Sequence, residues 1–173
     1  MKKIHNNFLE PPEQKLSSLI GHYQAGRYVE AEKLALSINK EFPKNKVAWK
    51  VLAAVLKQNG RINEALIICQ KSVQLDPKDA EAHKNLGIIL YEQSRLNEAE
   101  ESFRKAIILQ PNFAMAHSNL GILLQVQGKL KESEESFKKA IALAPDYAEA
   151  HNNLGVVLKD QGKLDEALSA FIQ

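Results

Sequence analysis

The sequence predicts an all-α protein, an α-solenoid of helix-turn-helix units, and three observations predict it. Pro43, Pro77, Pro111 and Pro145 stand 34 residues apart. Seven of the eight glycines keep the same period: Gly26, Gly60, Gly128 and Gly162 share one column, with Ser94 filling its gap, and Gly87, Gly121 and Gly155 share another. Between these marks the apolar residues recur at i, i+3, i+4 and i+7, the stripe of an amphipathic helix. A fixed period of this length marks a repeat architecture and outranks any segment-by-segment reading.

Position 1 of each unit falls at Pro12, Lys46, Ala80, Ala114 and Ala148, with no insertion or deletion between them. Residues 1–11 read as a poorly ordered N-terminal extension, 12–45 as a degenerate first repeat, 46–79, 80–113 and 114–147 as full repeats, and 148–173 as a truncated one. Each unit is two helices, A and B, broken near positions 15 and 32. Glycine at the first break adopts the left-handed conformation that ends a helix, and Ser94 should do so less well. Proline at the second break lacks an N–H and disfavours helix at the residue before it, so helix B stops there. Gly87, Gly121 and Gly155, facing Ala99, Ser133 and Ala167, let helices A and B approach closely. In the first repeat Lys15, Ser18 and His22 occupy apolar columns, while Leu16, Leu19, Ile20 and Tyr23 still form a stripe. It reads as an atypical cap.

Composition narrows the function. The chain is 45% hydrophobic and 25% charged, enough to bury a core. With 23 Lys+Arg against 21 Asp+Glu, the formal charge of +2 gives no strongly basic surface for a phosphate backbone, so nucleic acid is not an expected partner. The apolar runs are too short for a membrane span, and Met1-Lys2-Lys3 is followed by His5, Asn6, Asn7 and Glu10 instead of an apolar signal segment. One cysteine forms no internal disulfide and no cysteine-based zinc site, which fits a cytoplasmic setting.

The pattern His83-x2-Leu86-Gly87-x2-Leu90, then Ala99-x3-Phe103-x2-Ala106 and Pro111, resembles the tetratricopeptide repeat, most strongly over residues 46–173. The resemblance implies a right-handed superhelix with helices A on its concave wall, lined by positions 2, 5, 6, 9, 12 and 13. Position 6 then carries Asn85, Asn119 and Asn153, a row similar to the asparagine-lined groove of the repeat region in O-GlcNAc transferases. An asparagine amide matches the C=O and N–H of a peptide backbone whatever its side chains. Packed helices ~8–10 Å apart would present one rung to about every third residue of an extended chain rising ~3.3 Å per residue. On the sequence alone the alternative stays open that these amides solvate the wall or bond neighbouring helices.

Position 9 carries Ile88, Ile122 and Val156, with Met115, Tyr91 and Val126 nearby, an apolar row that expects a partner. Curvature is expected to bury Ile88 and Ile122 against the next helix A, leaving Met115 and Tyr91 in the groove. The carboxylate clamp of some tetratricopeptide proteins is matched at Lys84 and Asn119 but not at Ile88, Glu149 or Asn153, so capture of a chain terminus is not expected. The expected function is a non-catalytic scaffold that binds an extended peptide or partner helix through Asn85, Asn119 and Asn153, with selection by Lys84, Ile88, Tyr91, Met115, Ile122 and Val156. A second expectation, from the resemblance to bacterial arrays joined to transferase domains, is the N-terminal repeat region of a larger enzyme.

No metal or cofactor is expected. His83, His117 and His151 recur at position 4, where packing and hydrogen bonding fit better than convergence on one ion. Cys69 shares a column with Phe103, Phe137 and Phe171 and reads as a buried apolar group. Glu132, Glu134 and Glu135 alternate with Lys131, Lys138 and Lys139 and read as a solvated outer helix face. The chain stops inside a helix B at Gln173, so Leu154, Leu158, Leu164 and Phe171 are expected to face outward. They would be covered by further repeats of a longer protein or by a second copy in a homo-oligomer.

Overall fold

The computed structural model describes residues 10–172. The expected N-terminal extension up to residue 9, and Gln173, lie outside them. Among the described residues there are ten helices and no strand, in two compact units that divide between Lys78 and Asp79, one residue before a repeat boundary. The first unit holds α1 (Glu13–Gln24), α2 (Tyr28–Glu41), α3 (Lys46–Gln58) and α4 (Ile62–Leu75). The second holds α5 (Ala80–Glu92), α6 (Leu96–Leu109), α7 (Ala114–Val126), α8 (Leu130–Leu143), α9 (Ala148–Asp160) and α10 (Leu164–Ile172). Both are stacks of helical hairpins of the α-solenoid class.

The punctuation residues make the breaks. Gly60 sits at φ 72°, and its N–H reaches Lys57 O at 2.9 Å while Arg61 N–H reaches Leu56 O at 2.9 Å, so the last carbonyls of α3 are satisfied. Ser94 is held in the same left-handed conformation at φ 60°, with matching bonds from Ser94 N–H to Tyr91 O at 2.8 Å and from Arg95 N–H to Leu90 O at 2.9 Å. The hairpin turn dictates that geometry, and the serine accepts the strain. Helices α2, α4, α6 and α8 each end two residues before their proline. Two of the A helices are capped by side chains: Asn45 Oδ1 accepts from Ala48 N–H at 3.0 Å, and Asp79 Oδ1 accepts from Glu81 N–H at 2.9 Å.

Position 4 closes the joint between repeats. Trp49 Nε1 donates to Pro43 O at 2.9 Å, and His117 and His151 place Nε2 at 3.0 Å and 2.8 Å from the carbonyls of Pro111 and Pro145. A carbonyl only accepts, so each imidazole carries its hydrogen on Nε2.

Within the second unit α5 packs on α7 and α7 on α9, and each helix B lies against its own A and the next A. The backbones of α6 and α8 stand apart, bridged by long side chains such as Arg104 to Glu132 at 3.4 Å. The first unit repeats the pattern, with α1 against α3 and α2 on both. Helices A therefore form the inner layer of each unit and helices B the outer.

The glycines of column 8 serve a different contact from the one expected. Ser133 does lie against Gly121, donating to its carbonyl at 2.7 Å. The group that demands glycine is the phenylalanine: a methyl at Gly87 or Gly121 would lie 2.6 Å or 2.9 Å from the ring of Phe103 or Phe137, both buried. Leu154 and Leu158 also depart from expectation. They are buried in a cluster with Phe137, Ala150, Val157 and Ala167, while Leu164, Leu168, Phe171 and Ile172 of α10 are exposed. In the first repeat, Asn39 is buried with both amide atoms unpaired, in the column that holds Val73, Ile107 and Ile141.

Glu134 overturns the reading of its helix face as uniformly solvated. It is 8% exposed, accepting from Lys138 at 2.6 Å and from Lys163, in the next repeat, at 2.8 Å. Glu100 repeats this with Arg104 at 2.8 Å and Lys129 at 3.0 Å. The bonds from Lys138 and Lys163 outweigh burial and hold the Glu134 carboxyl down to about 2.

Two outcomes are expected. S94G relieves the strained serine and raises stability by about 1 kcal/mol, read as a melting point roughly 2–4 °C higher. Because Glu134 is held below its unfolded value of about 4.3, its stabilisation is complete above that pH and is lost as the pH falls through about 2. E134Q should therefore cost about 2 kcal/mol at pH 7 and lose less than the parent between pH 4.5 and pH 2, in urea unfolding at each pH.

Candidate functional site

The inner layer of the second unit places Asn85, Asn119 and Asn153 at the same register on α5, α7 and α9, three helices packed in succession. All three are half-buried. None of their amides has a hydrogen-bond partner among the described residues. Each keeps an acceptor and two donors for a ligand.

Three residues along each helix stand Ile88, Ile122 and Val156, also half-buried. Ile122 packs against the Phe137 cluster, so part of this row is structural. Met115 and Val126, 48% and 56% exposed, lie at the two ends of α7, and Tyr91 is half-buried on α5. Together these groups surround the amide row with apolar surface on its central helix.

Lys84 is placed differently. Its Nζ lies 5.6 Å from the centroid of the Phe113 ring, the N-cap residue of α7, in a cation–π contact at the joint between the two repeats. The same column explains why. Ser118, one repeat later, is fully buried, whereas Asn152 on α9 is exposed, so position 5 is the seam onto the following A helix. The resemblance carried Lys84 onto the open wall, whereas packing puts it at the joint.

The sequence reading missed one contact on this wall. Gln125 Nε2 donates to Asp160 Oδ2 at 3.2 Å, tying α7 to α9 beyond the amide row. Positions 12 and 13 were both assigned to the wall, but nothing in the spacing shows that a glutamine of one repeat reaches an aspartate of the next.

The Nε2 atoms of His117 and His151 are committed to proline carbonyls, and no cluster of three or more His, Cys, Asp or Glu side chains among the described residues could hold a metal ion. Cys69 is buried, which pushes its thiol up to about 12, far from a thiolate nucleophile at neutral pH. No helix among the described residues is long and apolar enough to cross a membrane.

Comparison with known proteins agrees with this architecture. Three family profiles, each described as tetratricopeptide repeat, match residues 22–87, 80–113 and 112–173. Among solved structures, TTC0263, a thermophilic TPR protein of Thermus thermophilus, is 27% identical with a TM-score of 0.78, over 91% of this chain and 87% of that one. The crystal structure of MamA is 25% identical with a TM-score of 0.75, over 87% of this chain and 88% of that one. PilF of Pseudomonas aeruginosa, 22% identical with a TM-score of 0.85 over 93% of this chain and 75% of that one, shares the fold. No curated protein sequence matches the chain.

Proposed function

The chain belongs to the tetratricopeptide repeat family, and on that premise we propose that it is a protein-interaction scaffold whose second unit binds an extended peptide along its inner wall. The observation that carries the reading is the row of three unpaired, half-buried amides at one register of α5, α7 and α9. Such a row recognises backbone, so it grips an extended chain without fixing its sequence. Selection then falls to the apolar groups around it, Met115, Tyr91, Ile88, Ile122 and Val156, with Lys84 acting at the joint toward Phe113. The reading assigns no reaction to these residues.

The test uses peptides selected against the chain by phage display, with affinities from calorimetry. At about 1 kcal/mol for each net hydrogen bond, changing Asn85, Asn119 and Asn153 together to alanine should weaken binding roughly 100-fold. Undiminished affinity in a folded triple variant would refute the ladder.

A second reading, self-association through α10, is supported by the exposed row Leu164, Leu168, Phe171 and Ile172. Sedimentation velocity should show a concentration-dependent coefficient for the parent and a constant one for L168E/I172E. A constant coefficient for the parent rejects it.

A further inference from the structure

The outer layer carries a second surface, independent of the inner wall. Between successive B helices each unit has a cleft whose floor is the A helix beneath. In the second unit the cleft between α6 and α8 is lipped by charge, with Arg104, Glu132, Glu135 and Lys139 over Leu120 and Leu124. The next one, between α8 and α10, has Lys138, Glu166 and Ser169 at its mouth. In the first unit the corresponding cleft, about 330 Å³, lies between α2 and α4 over Leu52 and Leu56, and Leu36 and Ile67 form its lips.

Those two lips break the pattern of their columns. Position 25 is Leu36 here but Arg104 and Lys138 in the second unit, and position 22 is Ile67 here but Glu101 and Glu135 there. The apolar side chains are out in solvent, at 51% and 63% exposure, so packing within the first unit does not require them. Val29, seven residues before Leu36 on α2 and 61% exposed, continues the stripe where other repeats carry Asn63, Asn97 and Lys131.

Charge says what fits. Lys33 and Lys40 stand three residues before and four after Leu36, and Lys71 four after Ile67, on the same helix faces as the lips. All three are exposed, and none forms an ion pair among the described residues. The carboxylates at the cleft, Glu32 and Glu64, are already taken by Arg61 at 2.6 Å and 2.7 Å. The two carboxylates share one guanidinium, so with Lys33, Lys40 and Lys71 on the lip faces the mouth of the apolar slot carries four cations against two anions.

We infer that the α2–α4 cleft of the outer face is a docking site for a short acidic–apolar segment of a partner protein, its apolar side chain entering between Leu36 and Ile67 and its carboxylates meeting Lys33, Lys40 and Lys71. A recessed floor suits an inserted side chain better than a flat lipid surface.

The test is a methyl NMR titration of the whole chain with three probes: acetyl-Asp-Glu-Leu-Phe-Glu-Asp-amide, its basic counterpart acetyl-Lys-Arg-Leu-Phe-Arg-Lys-amide, and phosphatidylserine–phosphatidylcholine vesicles. The acidic peptide should saturably shift the methyls of Leu36, Leu52, Leu56 and Ile67, at least 10-fold more tightly than the basic one. L36R and I67E install residues that the same columns carry in the second unit, so the fold is kept; each should weaken binding at least 10-fold. K33E/K40E/K71E should do the same without touching the slot. Equal binding of the basic peptide, shifts confined to Ile88, Ile122 and Val156, binding of vesicles without the acidic peptide, or no shift at all would each overturn the inference.

Discussion

The architecture depends on a trade of volume across each hairpin. Where helix B brings a phenylalanine to position 24, helix A must offer no side chain at position 8, because a methyl at Gly121 would press to 2.9 Å from a ring that has nowhere to move. The trade holds where the residues change. Cys69 replaces the phenylalanine in the second repeat and Ala53 replaces the glycine, and in the first repeat Leu19 stands opposite the column of Ala35, all four of them buried. With hairpin spacing preserved by compensation, the A helices repeat at one register. That repetition is what turns three separate asparagines into a row.

Electrostatics adds a second, directional tie. A carboxylate at position 21 reaches forward to the cation at position 16 of the next repeat, as in Glu32 to Arg61, Glu100 to Lys129 and Glu134 to Lys163. In the last two the carboxylates are only 16% and 11% exposed, although their lysines reach solvent, so these pairs are screened less than fully exposed ones. On the inner wall the asparagine row has no partner among the described residues, while Gln125 beside it bonds Asp160 of the next repeat.

The helices and their breaks were legible because each is fixed by one local residue. Proline ends a helix through its own ring, and a left-handed turn is made by the residue standing in it, even when that residue is Ser94. The misreadings share a different cause. Glu134 read as solvated because its sequence neighbours are charged, but the group that buries and pairs it, Lys163, stands 29 residues away. Lys84 read as part of the open wall because its column was taken by analogy, whereas its ammonium lies over Phe113, 29 residues on at the N-cap of α7. Leu154 and Leu158 read as an exposed end because the contribution of α10 to their burial could not be seen. Whatever a single helix dictates can be read from it; whatever two repeats decide between them needs coordinates.

The joint at position 4 has a consequence for how variable such a column can be. Trp49, His117 and His151 differ in size and polarity, yet each aims a ring nitrogen at a proline carbonyl left over at the end of the preceding helix. The column is therefore defined by a hydrogen and its direction, not by bulk or greasiness, and indole and imidazole are synonyms there.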